Sequence, residues 1–215
     1  MHTPGKHLLA AKGVPWVGGS LLLLLAVGAL YLFTGAAASE PSRTPPPNAH
    51  DISFGPADAR LSVIEYSDFQ CPFCAQYAPI LATLRETYGD RVRFVFRFYP
   101  LANHQYATIS AKAAYAASLQ GKFWEMHDLL FKNQKEWSES ADPRPYFDSY
   151  AKSLGLDIDK FHADADAQST TDFIARQAAE GKKAGVTHTP WVVIGDSVVL
   201  PRSFDEFDKL IQEAL

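Results

Sequence analysis

Cys71 and Cys74 are the only two cysteines in the 215-residue chain, and they fall where the hydrophobic period changes from that of a strand to that of a helix. LSVIEYSDF, Leu61 to Phe69, opens with β-branched and apolar residues and predicts a buried strand that ends just before Cys71. Beyond the pair, Tyr77, Leu81, Leu84 and Tyr88 recur at spacings of four, three and four. That spacing is one apolar face of a helix, and Gly89 is a natural stop for it. A strand feeding a helix through Cys-Pro-Phe-Cys admits few architectures.

The rest of the chain extends this pattern. In RVRFVFRFYP, Val92, Phe94, Phe96 and Phe98 alternate with Arg91, Arg93, Val95 and Arg97, which predicts a strand with one buried face. From His104 to about Gly185 the pattern is helical, broken at Gly121, at Asp142-Pro143-Arg144-Pro145 and near Gly155. So long a block is no simple crossover and predicts an inserted helical subdomain, about residues 103–185. Two short β runs, Trp191 to Ile194 and Ser197 to Leu200, then flank Gly195-Asp196 as a hairpin. A last helix places Phe204, Phe207, Leu210 and Ile211 on one face.

With 47% hydrophobic residues the chain can bury one good-sized core, and residues 51–215 are expected to form it. The N-terminus is of another kind. No charge occurs between Lys12 and Glu40, and WVGGSLLLLLAVGALYLF, residues 16–33, is long enough to cross a hydrocarbon layer as a helix. Lys6 and Lys12 precede it, so the positive-inside rule leaves the first residues in the cytoplasm and exports the chain beyond Phe33. Ala36-Ala37-Ala38 would suit a signal peptidase, while the length of the run favours an uncleaved anchor. Residues 1–38 therefore read as a stub plus anchor or signal. Residues 39–50, with PSRTPPP at their centre, read as a semi-rigid spacer. Without Lys6 and Lys12 there are 18 basic against 24 acidic residues, a formal charge of −6, which is no footprint for nucleic acid.

Three chemistries are open to the cysteine pair. Structural zinc needs two further ligands, and there is no second cysteine pair. A disulfide across so short a loop removes little entropy from the unfolded chain, so it makes a poor staple. Redox exchange fits best. The first turn of a helix offers free N–H groups and a positive dipole end, so Cys71 is expected to titrate well below 8.5 as the exposed nucleophile. Cys74, one turn further in, is expected to be shielded and to resolve mixed disulfides. Pro72 suits the helix start because it lacks an N–H. Glu65 either turns to solvent or lies buried beneath the pair, where it would accept the Cys74 proton. Asn103-His104 lines the rim of the site or caps a helix through Asn103, His127 reads as a core histidine and His188 as a solvated loop residue.

Strand, Cys-x-x-Cys, helix, strand, helical insertion, hairpin, helix: this order resembles the α/β thioredoxin fold with the inserted all-helical subdomain of DsbA-like thiol-disulfide oxidoreductases, over about residues 50 to 215. The resemblance rests on Cys71-Pro72-Phe73-Cys74 after EYSDFQ, on Pro79 where the family kinks its helix, on Thr189-Pro190 at the position of a cis-proline, and on Glu65 at that of a buried acid. It implies that Pro72, Phe73, Thr189 and Pro190 contact substrate, with the Thr189 backbone pairing an extended segment. Phe73 stands where several oxidases of the family carry a histidine. The resemblance further implies reduced exported proteins as substrates, a DsbB-like membrane partner, no cofactor beyond the Cys71–Cys74 disulfide, and a periplasmic or outer-face monomer held by its N-terminal transmembrane helix. A chaperone-like binding module with incidental cysteines is the competing class, and reductase or isomerase activity competes within the enzyme class.

Overall fold

The computed structural model describes residues 44–215. The apolar run at 16–33 and the start of the proline-rich segment lie outside the described residues, and among those described no helix is long and apolar enough to cross a membrane.

Strands β1 (Ile52–Phe54), β2 (Leu61–Ser67), β3 (Val92–Phe98), β4 (Trp191–Ile194) and β5 (Ser197–Val199) form one sheet in the order β1-β3-β2-β4-β5. Of these strands only β2 and β3 run parallel, and helix α1 (Pro72–Tyr88) makes the crossover between them. Leu61, Val63, Val92, Phe94, Val192 and Ile194 share one face and bury Leu81, Leu84 and Tyr88 of α1. Residues one step along the same strands, Ile64, Tyr66, Val95 and Val193, line the other face. The period of two thus sorts each strand between two cores.

The insertion comprises α2 (Ala107–Ser118), α3 (Phe123–Lys132), α4 (Gln134–Ser138), α5 (Arg144–Ser153), α6 (Ile158–Asp166) and α7 (Gln168–Ala184), and α8 (Phe204–Ala214) closes the chain. It begins later than the pattern suggests: α2 is capped at Tyr106 rather than at Asn103, because residues 101–106 are drawn into bonds with the redox loop. Phe96 and Phe98, at the far end of β3, pack with Phe69, Phe123, Phe131 and Phe173, which joins the insertion to the sheet beside the cysteines. Each such side chain, fully buried, contributes about 1.5–3 kcal/mol.

The alternation in β3 predicted one buried face, and all seven residues are buried. The covering element is the stretch read as a spacer. Arg97 donates from Nε and Nη2 to Asp51 at 3.0 and 2.8 Å, from Nη1 to the Pro45 carbonyl at 2.8 Å and Tyr66 Oη at 3.1 Å, and from Nη2 to the Pro46 carbonyl at 3.1 Å. All five guanidinium N–H groups find acceptors, which is what allows the charge to be buried. Arg93 reaches the Asn48 carbonyl at 2.7 Å. Residues 45–51 are therefore a strap packed on the domain, and β1, which the periodicity did not predict, continues from it and pairs antiparallel with β3.

Helix α7 crosses close to the sheet at Gly181, where an added Cβ would lie 2.8 Å from Tyr66 Cε1 and 2.9 Å from Tyr99 Cδ2. Alanine is the better helix former by about 1 kcal/mol, yet overpacking against these rings costs about 1–3 kcal/mol. Gly181→Ala is expected to lower stability by about 1 kcal/mol, the middle of a net range of about 0–2 kcal/mol. Urea unfolding checks this, and an unchanged or raised midpoint would show that the tyrosines yield freely.

Candidate active site

Chain direction places the site: β2 ends at Ser67 and α1 starts at Pro72, so the loop 68–71 carries Cys71 to the helix N-terminus. Cys71 is the N-cap in extended conformation, and no side chain caps the helix. The N–H groups of Phe73 and Cys74 remain for the Cys71 sulfur. Both cysteines are free thiols, so the geometry is that of the dithiol.

Cys71 is less open than expected, with 3% of its surface accessible. Part of the cover is Thr189, whose carbonyl accepts from Cys71 Sγ at 3.4 Å. The Thr189–Pro190 bond is cis and both residues are buried, while Pro72 and Phe73 are exposed, Phe73 by 62%. The Cys71 thiol is lowered from 9.0 to about 6, first by the Cys74 thiol and then, against the opposing effect of burial, by Thr189 and the Cys74 and Phe73 N–H groups. The Thr189 hydroxyl has no partner in the dithiol and is available to donate to the thiolate. Cys74 moves the other way: burial, then its bond to Cys71, pushes its thiol well above 9.0. One cysteine is thus prepared as thiolate and the other as thiol.

Glu65 is buried, 5% exposed, which decides between its two sequence readings. It lies in mid-sheet between Phe96 of β3 and Val192 of β4, with Oε1 unpartnered. Burial raises its carboxyl from 4.5 to about 7, with Ser67 and Arg85 pulling it down and Cys71 pushing it up. Its charge is among the causes that raise Cys74, which puts the carboxyl within electrostatic reach of the resolving thiol. A carboxyl titrating near neutrality can take and return one proton there.

Because the folded value lies above 4.5, ionising Glu65 costs stability progressively as pH rises from 4.5 through about 7, by about 3 kcal/mol when complete. Glu65→Gln is expected to gain stability relative to the parent between pH 5 and pH 8, and to deprotonate Cys74 more slowly, by about 100-fold or more. Denaturant unfolding of the dithiol at the two pH values checks the first effect. A difference that does not change with pH would contradict the assignment.

Sequence reasoning missed the residues that hold the loop. The buried Asp68 carboxylate accepts from Gln70 N at 2.7 Å and Leu101 N at 2.8 Å and lies 2.8 Å from His104 Nδ1. Gln70 Oε1 accepts from Tyr106 N at 2.6 Å. Polar residues flanking Phe69 just before the cysteines were the available signal. His104 therefore belongs to the loop's support, a role neither reading had assigned it, and the helix cap falls at Tyr106 rather than at Asn103. His188 is exposed, with its ring 5.1 Å from that of Trp191, and His127 is buried in the insertion against Phe69, Phe96 and Phe131.

A mixed sheet whose central strand delivers two sulfurs to a helix N-terminus defines a thioredoxin-fold dithiol protein. A family model described as thioredoxin matches residues 48–213, and the chain belongs to that family, with its helical insertion giving the DsbA-like form of the fold. Among solved structures, a thioredoxin-like oxidoreductase from Silicibacter pomeroyi superposes with TM-score 0.66 at 25% identity, covering 78% of this chain and 93% of that one. The thiol-disulfide exchange protein α-DsbA2 from Wolbachia pipientis gives TM-score 0.68 at 19% identity, covering 77% of this chain and 88% of that one. Among curated proteins, the Na(+)/H(+) antiporter NhaA 3 of Salinispora tropica is 39% identical over 137 residues, 63% of this chain and 20% of that protein. The chain thus spans about a fifth of the length of the curated relatives it matches.

Proposed function

We propose that this DsbA-like thiol-disulfide oxidoreductase works outside the cytoplasm as an oxidase, passing the Cys71–Cys74 disulfide to reduced exported proteins. The asymmetry of the pair carries the direction: Cys71 held at about 6 as thiolate, Cys74 held as thiol. A stabilised thiolate favours the dithiol, which makes the disulfide the stronger oxidant.

A substrate thiolate attacks Cys71 Sγ, the Cys71–Cys74 bond breaks, and Cys74 leaves and takes a proton from Glu65. A second substrate thiolate then attacks the substrate sulfur of the mixed disulfide and expels Cys71 as thiolate. Two electrons pass from substrate to enzyme, and no bound cofactor is needed. Exposed Pro72 and Phe73, with the Thr189-Pro190 segment, are the groups placed to meet the substrate chain. Reoxidation by a DsbB-like membrane protein, or its equivalent, passes the two electrons onward from the dithiol, with Glu65 accepting the Cys74 proton.

Location outside the cytoplasm is supported by the uncharged run 13–39 behind Lys6 and Lys12. In this reading the chain is a monomer tethered by its N-terminal segment. Equilibration with glutathione tests the direction. A reduction potential between about −200 and −120 mV, with faster disulfide formation in reduced ribonuclease A, is the expected result. A potential near −270 mV would mark a reductase.

A further inference from the structure

The helical insertion touches the redox loop through one side chain that bonds the Cys71 peptide itself. Gln134, the first residue of α4, donates from Nε2 to the Phe69 carbonyl at 2.8 Å and to the Cys71 carbonyl at 2.8 Å. The Cys71 carbonyl also accepts from Ala75 N, the first bond of α1, at 3.2 Å. Phe69 O and Cys71 O thus converge on one point. A primary amide, with two N–H bonds on one nitrogen, can serve both at once.

We propose that Gln134 is a positioning residue for the redox centre, through which the insertion holds Cys71 where the helix N–H groups stabilise its thiolate. The loop is gripped from two sides. Asp68 and Gln70 tie its beginning to Leu101, His104 and Tyr106, and Cys71 N donates to the Asp68 carbonyl at 3.0 Å. Gln134 alone among these side chains grips its end, at the cysteine that reacts. Without the amide, the N-cap peptide keeps only its bond from Ala75 and gains freedom to rotate. The N–H groups of Phe73 and Cys74 then lose their aim at the sulfur, and the thiolate is the form that suffers. The cap peptide connects sulfur and insertion covalently, so the insertion acts on the chemistry without touching substrate. This role rests on Cys71–Cys74 being the redox pair and is independent of the direction of electron flow.

The test compares the wild-type protein with Gln134→Met, which keeps the length and removes both donors. Three quantities are read: the thiolate absorbance of Cys71 against pH, the dithiol–disulfide equilibrium constant with glutathione, and denaturant unfolding of each redox form. Losing a hydrogen bond of ordinary strength at this point is expected to lower both the acid dissociation constant of Cys71 and the oxidising equilibrium constant by about three- to tenfold. The dithiol should lose more stability than the disulfide. Should Gln134→Met fail to fold, Gln134→Asn, whose shorter arm keeps the donor, is expected to shift both constants in the same direction by a smaller factor. Constants within twofold of wild type, with equal stability loss in both redox forms, would reduce Gln134 to a structural contact and overturn the proposal. A wild-type protein that forms no disulfide with glutathione at all would instead overturn the redox reading beneath it.

Discussion

Cys74→Ala is expected to turn a catalyst into a trap. Cys71 in this variant keeps the stabilisation of the helix N–H groups and Thr189, while loss of the Cys74 thiol, its largest stabilising partner, moves its titration up from about 6. It attacks a partner disulfide, the partner's other sulfur leaves as thiolate, and a mixed disulfide forms. In the native protein Cys74 lies one turn away and resolves this species intramolecularly, an advantage that can reach an effective molarity of about 10⁵ M or more. External thiols at millimolar concentration cannot match it, so adducts should persist on non-reducing gels, and Cys71→Ala should give none. Because Cys71 in this variant attacks disulfides, a single dedicated membrane protein among the trapped partners would speak for the oxidase, as the protein that reoxidises it, whereas many disulfide-bonded exported proteins would speak for a reductase or isomerase. Absence of any adduct in the native compartment would remove the main support for redox function and favour the binding module.

The second large effect is far from the sulfurs. Asp51→Ala leaves Arg97 buried without its ion-pair partner, and breaking a buried pair from one side costs about 3–5 kcal/mol. The double variant Asp51→Ala, Arg97→Met is expected to recover part of that loss, since no uncompensated charge remains. Urea unfolding of the two variants and the parent decides it. A loss under about 1 kcal/mol for Asp51→Ala would mean that the strap adds nothing to the domain. Because the strap is bonded to Arg97, residues 45–51 provide no free spacer.

Much of this molecule was legible because its signals are local. The strand to Ser67, the helix from Pro72, the hairpin at Gly195 and the terminal helix through Ile211 each arise from periodicity and turn chemistry within a few residues. The two cysteines identified themselves by spacing and by their place at a helix N-terminus, which fixes the sign of the Cys71 shift wherever that helix packs. Other features depend on atoms distant in sequence. Whether Glu65 was buried depended on β3 and β4 closing over it, 31 and 127 residues further along the chain. Arg93 and Arg97 read as a solvent face until the strap supplied carbonyls and Asp51. Cys71 read as exposed until Thr189 met its sulfur. Gln134 carries no local mark: an amide at the start of a short helix became a support of the redox loop only when the fold brought two carbonyls, 65 and 63 residues earlier, to its nitrogen. Sequence by itself determined most of the elements, though not β1, and which atoms can react, because backbone propensity and helix electrostatics act over a few residues. The tertiary structure alone decided which polar groups are buried and with what partners, because desolvation and hydrogen bonding are set by whatever the rest of the chain places against them.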